Sequence, residues 1–146
     1  MTDQTSATPE TGRFEISVDV TPDDIDELGH VNNVVYLRWV QDVAAAHWKA
    51  KATDTLQATV AWVALRHEID YKHAALPGDR VIASTWVGPA ESVRFERFVE
   101  ILRAGDRKVL ARSRSLWAPV SRATGRVTRA SDDLRALFSK AYEAQG

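Results

Sequence analysis

The chain contains no cysteine. That absence excludes disulfides, thiolate metal sites and a cysteine nucleophile, and it fits a reducing cytosol. No apolar run approaches the ~18 residues that a membrane-spanning helix needs. An excess of one charge is missing as well: 19 lysines and arginines against 20 acidic residues leave a net charge of −1. Such a balance sets up no strong field to attract nucleic acid or an anionic membrane. Residues 1–12 are rich in Thr, Ser, Asp, Glu and Pro and lack the basic-then-apolar order of a signal peptide. They are expected to form a flexible tail, and the expected location is the cytoplasm. There is no Gly-rich phosphate loop and no G-x-S-x-G elbow. The four histidines show no ligand spacing, so no metal site is expected.

What is present suits one domain, placed at residues 13–142, because 146 residues with 45% apolar content can bury an ordinary core. Phe14 to Val20 alternates apolar and polar residues, as a half-buried strand does. From Asn33 to about Lys51 the period changes to that of a helix. Tyr36, Val40, Val43 and His47 make one stripe, and Val35, Trp39 and Trp48 widen it until most of the circumference is apolar, which predicts burial. Asn32 or Asn33 can cap its start, while Lys49 and Lys51 suit the negative end of its dipole. Thr53 to Thr59 reads as a polar connection.

Four strands are then expected, at Ala61–Tyr71, Arg80–Val87, Val93–Leu102 and Lys108–Val120, divided by turn-forming residues at 76–79, 88–91 and 104–106. In the first, Val63, Leu65, His67, Ile69 and Tyr71 share a face; in the third, Phe95, Val99 and Ile101 do. In the last, Val109, Ala111, Ser113, Ser115 and Trp117 share one. Ser131 to Asp133 caps a short final helix with the stripe Leu134, Leu137 and Phe138. Helix and sheet segregated in this way define an α+β class, and a single buried helix requires a sheet of five or six strands curved around it.

The stretch from Thr21 to Tyr36 concentrates the chemistry. Asp23, Asp24 and Asp26 precede Gly29, His30 and the start of the long helix. Free N–H groups at a helix N-terminus carry partial positive charge and bind oxyanions. A carbonyl oxygen set on them is polarised, an effect worth ~3 kcal/mol per donor in an oxyanion hole. A carboxylate beside that carbonyl can attack it or deprotonate a water. The two parts together suffice for acyl-group hydrolysis. The same aspartates can instead build a turn or cap the helix, and His30 can be a turn histidine bonded to backbone. His67 reads as a satisfied core histidine, and His47 and His73 as structural or solvated. The five tryptophans read mostly as core or subunit contacts, with one or two available to line an acyl or aryl pocket. Arg94, Arg97, Arg112 and Arg114 read as solvated strand faces or as contacts for the phosphates of a nucleotide-bearing thioester.

The run Asp24-Ile25-Asp26-Glu27-Leu28-Gly29-His30-Val31-Asn32-Asn33, followed by Tyr36, resembles a signature of hotdog-fold thioesterases. The pattern there is Asp-x-Asp-x-x-Gly-His-Val-Asn-Asn-x-x-Tyr, and the nearest branch is the 4-hydroxybenzoyl-CoA thioesterase and acyl-CoA or acyl-ACP thioesterase group. Ile69-Asp70-Tyr71 with Ala74 to Asp79, and Trp117-Ala118-Pro119-Val120 with Thr124-Gly125-Arg126, are similar to two further segments of that family. The resemblance implies the hotdog fold, with an antiparallel sheet wrapped around the long helix. It implies a homodimer joined edge to edge, or a homotetramer of stacked dimers, with active sites at the interface. It implies that Asp26 is nucleophile or general base, that the Asn33 N–H polarises the thioester carbonyl, and that His30 positions that carbonyl or the loop. Gly29, Asn32 and Tyr36 would shape the substrate site. The implied substrate is an acyl-CoA or acyl-ACP, and no cofactor is required. The alternative is a non-catalytic hotdog protein that binds acyl groups or acyl carriers.

Overall fold

Alternation sets the first strand, β1 (Phe14–Asp19), which buries Phe14 and Ile16 and shows its polar residues to the other side. A single 3-10 turn, Pro22–Asp24, follows and leads into the loop before α1 (Asn33–Lys51). The computed structural model describes residues 13–145, so the tail expected over residues 1–12 lies outside the described residues. After α1 come a short helix α2 (Asp54–Thr59), the strands β2 (Val60–Tyr71), β3 (Arg80–Val87), β4 (Phe95–Arg103) and β5 (Val109–Ser121), and a closing helix α3 (Asp132–Glu143). The strands pair antiparallel in one curved five-stranded sheet of order β1-β3-β4-β5-β2.

α1 starts where Asn32 accepts a hydrogen bond from the Val34 N–H at 3.1 Å, satisfying one of the amides that a helix start leaves unpaired. The broad apolar surface read from the sequence is buried: Trp39, Val40 and Val43 lose essentially all contact with water. They pack on β1, β3 and β4 through Phe14, Ile16, Val81, Ala83, Val99 and Ile101. Truncating a buried ring such as Trp39 to alanine costs ~3–5 kcal/mol in cores of this kind. A second apolar cluster closes the other end of the helix. There α3 sets Leu134 and Phe138 against Val87 and Phe95, with Trp48 and Trp62 partly buried beside them. Gln145 brackets the end of β3, its amide Nε2 donating to the Val87 carbonyl and its Oε1 accepting from the Val87 N–H, both at 2.8 Å.

Three expectations need correction. The polar connection 53–59 is helical over Asp54–Thr59, because Thr53 Oγ1 accepts from the Leu56 N–H at 3.1 Å and Leu56 is buried. The face expected for β2 holds for half its length. Ala64 pairs with Trp117 and Arg66 with Leu116, which leaves Leu65 as a bulge with no residue opposite. Every side chain after a one-residue slip changes face. Trp62 and Ala64 therefore face the helix on one side of the bulge and His67 and Ile69 on the other, while Val63 and Leu65 are exposed. In the β4–β5 hairpin the residue with positive φ is Arg107, at 56°, and the turn extends one position beyond residues 104–106, with the Arg103 N–H donating to the Lys108 carbonyl.

Candidate active site

The loop between β1 and α1 is a small scaffold built largely from its own backbone. Asp26 N–H donates to the His30 carbonyl at 2.8 Å, and Gly29 N–H donates to the Asp26 carbonyl at 3.0 Å. Closing so tight a turn needs a residue in the left-handed region, and Gly29 supplies it with φ of 78°. The loop is tied down at its base. Asn32 N–H donates to the Asp24 carbonyl at 2.8 Å, and Val31 N–H to the Ala75 carbonyl at 3.0 Å.

The two motif aspartates take different places. Asp24 is buried, with one carboxylate oxygen accepting from the Thr21 N–H at 2.9 Å and the other from Arg38 Nη2 at 3.0 Å. Burial raises its pKa, but the Thr21 and Arg38 donors outweigh that and hold it below its ordinary 3.8. Its part is to cap the 3-10 turn and anchor the loop to α1. Asp26 is half-buried. Its Oδ1 accepts from the Leu28 N–H at 2.9 Å and more weakly from the His30 N–H at 3.4 Å. Its Oδ2 has no protein partner among the described residues.

At the start of α1 the cap serves Val34, and the Val35 N–H turns back to the Asn32 carbonyl. The Asn33 N–H has no partner among the described residues. Asp26, His30, Asn32, Asn33 and Tyr36 all line one open cavity of about 380 Å³. The structure thus brings the residues singled out from the sequence to one wall. Gly29 stands apart, shaping the turn rather than lining the cavity. Tyr36 is buried, and its hydroxyl accepts from the Ala75 N–H at 2.8 Å, which joins α1 to the β2–β3 connection. Burial pushes that hydroxyl above its ordinary pKa of 10.0.

Sequence reasoning missed Tyr71. Its hydroxyl donates to the Asn33 carbonyl at 3.3 Å and its ring meets Tyr36 edge-on at 5.4 Å, on the same cavity wall. Its place at the end of β2, within a quoted family segment, was the available signal.

His67 is only half satisfied as a core histidine: Nδ1 bonds Ser115 Oγ at 2.6 Å, but Nε2 is buried without a partner among the described residues, and burial lowers its pKa. Arg112 and Arg114 pair on the outer face with Glu100, Glu96 and Glu68. Arg97 does not belong to that face. It is buried on the concave side, beside His47 and Thr85. Among the described residues no group of three or more His, Asp or Glu side chains is placed to hold a metal. No helix among them is long and apolar enough to cross a membrane.

A long helix wrapped by a curved antiparallel sheet, with a polar loop closing over its N-terminus, is the hotdog fold. The chain belongs to the thioesterase-like superfamily, whose pattern it matches over residues 20–138. Solved structures share the fold. SAV2348 from Staphylococcus aureus, a hypothetical protein in complex with CoA, superposes with a TM-score of 0.83 at 15% identity, covering 100% of this chain and 89% of that one. Slr0204 from Synechocystis, a 1,4-dihydroxy-2-naphthoyl-CoA thioesterase, gives 0.74 at 18% identity, covering 86% and 95%. The 12:0-ACP thioesterase from Umbellularia californica gives 0.77 at 16% identity, covering 90% of this chain and 51% of that one. No curated protein sequence matches the chain.

Proposed function

We propose that the protein hydrolyses an acyl-CoA or acyl-ACP thioester to the free acid and thiol, with residues 13–142 acting as one hotdog domain in the cytoplasm. The observation that carries this reading is the pairing, on one cavity wall, of an unpartnered Asp26 oxygen with an unpartnered helix N-terminal amide at Asn33. The family and its CoA- and ACP-handling structural relatives support the substrate class.

In this reading the thioester carbonyl oxygen sits on the Asn33 N–H, where the helix dipole favours developing negative charge. Asp26 Oδ2 takes a proton from water as the oxygen of that water attacks the carbonyl carbon. The tetrahedral oxyanion then collapses, the C–S bond breaks, and the sulfur leaves with the proton. In the nucleophilic variant Asp26 itself attacks, the C–S bond breaks and the thiolate leaves. Water then hydrolyses the resulting anhydride, restoring the carboxylate and releasing the acid, with the water's proton balancing the thiolate. Either way the Oδ1 bonds to Leu28 and His30 hold the carboxylate in place, so little reorientation is needed. His30 positions the carbonyl or the loop, Gly29 keeps the turn, and Asn32 and Tyr36 shape the wall.

The reading includes a homodimer. β2 is an edge strand of 12 residues, with Val63 39%, Leu65 48% and Tyr71 46% exposed. A long edge of unpaired backbone groups with apolar side chains invites a second copy. Light scattering on the purified protein checks this, a monomer at micromolar concentration counting against it.

Incubation with a panel of acyl-CoA and acyl-ACP thioesters and a thiol reagent tests the activity. Thiol release is expected from the wild type, and a loss of ~10²-fold or more in Asp26→Asn with the fold intact. Tight acyl-CoA binding with no thiol released would instead identify a non-catalytic binder.

A further inference from the structure

Arg97 lies in the alternation of β4 between Phe95 and Val99, and it projects to the concave side of the sheet, where it is 7% exposed. Its Nη1 donates to Thr85 Oγ1 and to His47 Nδ1, both at 3.0 Å. A guanidinium has five N–H donors and no acceptor, so His47 must accept at Nδ1 and hold its proton on Nε2. Both partners are therefore neutral. No carboxylate pairs with Arg97 among the described residues. Its Nε and Nη2 have no protein partner among them either, and neither atom is fully enclosed. Arg97 lines two neighbouring cavities of about 220 and 250 Å³, with Trp48 and Phe138 also common to both. Trp62, Phe95 and Trp117 complete the aromatic lining of the first.

A buried charge is normally met by an opposite one, because its desolvation is otherwise uncompensated. Here the described residues supply hydrogen bonds at Nη1 and none at Nε or Nη2, in a side chain that borders cavities with aromatic linings. We propose that Arg97 anchors a monocarboxylate ligand whose flat apolar body lies among the aromatic side chains of this cavity. Arg97 is the buried cation here; Arg122 also lines the first cavity and Lys51 and Lys140 the second. The acidic residue of the lining, Glu96, pairs with Arg114, so an incoming carboxylate meets an excess of positive charge. The Nε–Nη2 edge presents two parallel donors, the arrangement that a planar carboxylate meets bidentately. The space is that of one ring with a short arm, since an apolar cavity of ~150 Å³ already admits benzene. The site is separate from the Asp26 carboxylate of the same chain: His47 lies about 21 Å along α1 from Asn33, at ~1.5 Å per residue. Binding here involves no thioester, so it stands or falls independently of the hydrolase reading.

Three tryptophans line the cavity, which makes their fluorescence the natural readout. The protein is titrated with 3-phenylpropionate and, separately, with its neutral isostere 3-phenylpropanamide. The acid is expected to quench saturably and to bind about 10-fold or more tightly than the amide, the difference expected for a charge-assisted pair. Arg97→Met, checked for folding by circular dichroism, is expected to bind the two alike. Arg97→Lys keeps the charge without the planar fork and is expected to show a reduced preference for the acid. Equal affinities in the wild type, no saturable signal from the acid, or an acid preference that survives in Arg97→Met would each overturn the proposal. Should Arg97→Met not fold, an acid preference left unchanged by lysine would overturn it.

Discussion

The two ends of α1 each carry an unmet polar group, in opposite surroundings. At the N-terminal end the Asn33 N–H and one Asp26 oxygen face an open cavity, where water can satisfy them at little cost. At the C-terminal end Arg97 is buried and borders a cavity lined by aromatic side chains, where the same lack is far more costly. The first end can therefore hold reactive groups ready without destabilising the fold. The second holds a buried charge that no carboxylate among the described residues pairs with. The difference shows why an unpaired donor has to be judged together with its exposure.

The sharpest way to break this comparison is to remove one charge at a time. Asp26→Asn is expected to lower thioester turnover by ~10²-fold or more while leaving the affinity for 3-phenylpropionate unchanged. Fluorescence titration of that variant checks it, and a parallel loss of both would mean that the two ends act as one site.

Next in size is Tyr36→Phe. It strips the acceptor from the Ala75 N–H beneath the open end, and leaving a buried donor unsatisfied costs ~1–3 kcal/mol. The midpoint of urea unfolding should fall accordingly, with the denaturant slope unchanged.

A pH series sharpens the closed end. Burial, with Arg97 and Lys51 nearby, pushes the His47 pKa down from 6.5 to about 3. Between those values the unfolded imidazole binds a proton that the folded one refuses. Stability from this group is thus complete above pH 6.5 and falls as pH drops toward 3, by up to ~1.4 kcal/mol per unit. In Arg97→Met the decline should level off at a higher pH and be smaller in total, since the Arg97 Coulombic part is removed and the desolvation part remains. Urea unfolding between pH 4 and 8 in both proteins measures it.

The smallest effect belongs to Gly29→Ala. Nothing crowds the added methyl, so the cost is that of the backbone at φ 78°, ~1 kcal/mol. A lowered melting temperature with turnover retained within a few-fold is expected.

Much of the open end was legible in the chain because one contiguous motif builds it, and the spacing from Asp24 to Tyr36 alone brings most of its members onto a shared wall. The partner that holds Asp24 was not legible. Asp24 reaches Arg38, fourteen positions on, by a contact that depends on where the helix settles. The closed end was half visible. Phe95, Val99 and Ile101 were read as one face, and Arg97 occupies the position that the reading skipped; charge alone argued for solvent, and tertiary packing overrode it. The Leu65 bulge was hidden, since an extra residue leaves no mark when both faces of a strand hold apolar residues. The short helix α2 had a usable sign, a threonine followed by an acidic first turn, masked by its polar surroundings.

The grip of Gln145 on Val87 has a practical side. One side-chain amide does the work of a neighbouring peptide group at the very end of a strand, beside the second of the two cavities that Arg97 borders. Shortening the chain before that glutamine would unlatch the corner and let solvent reach the guanidinium from behind.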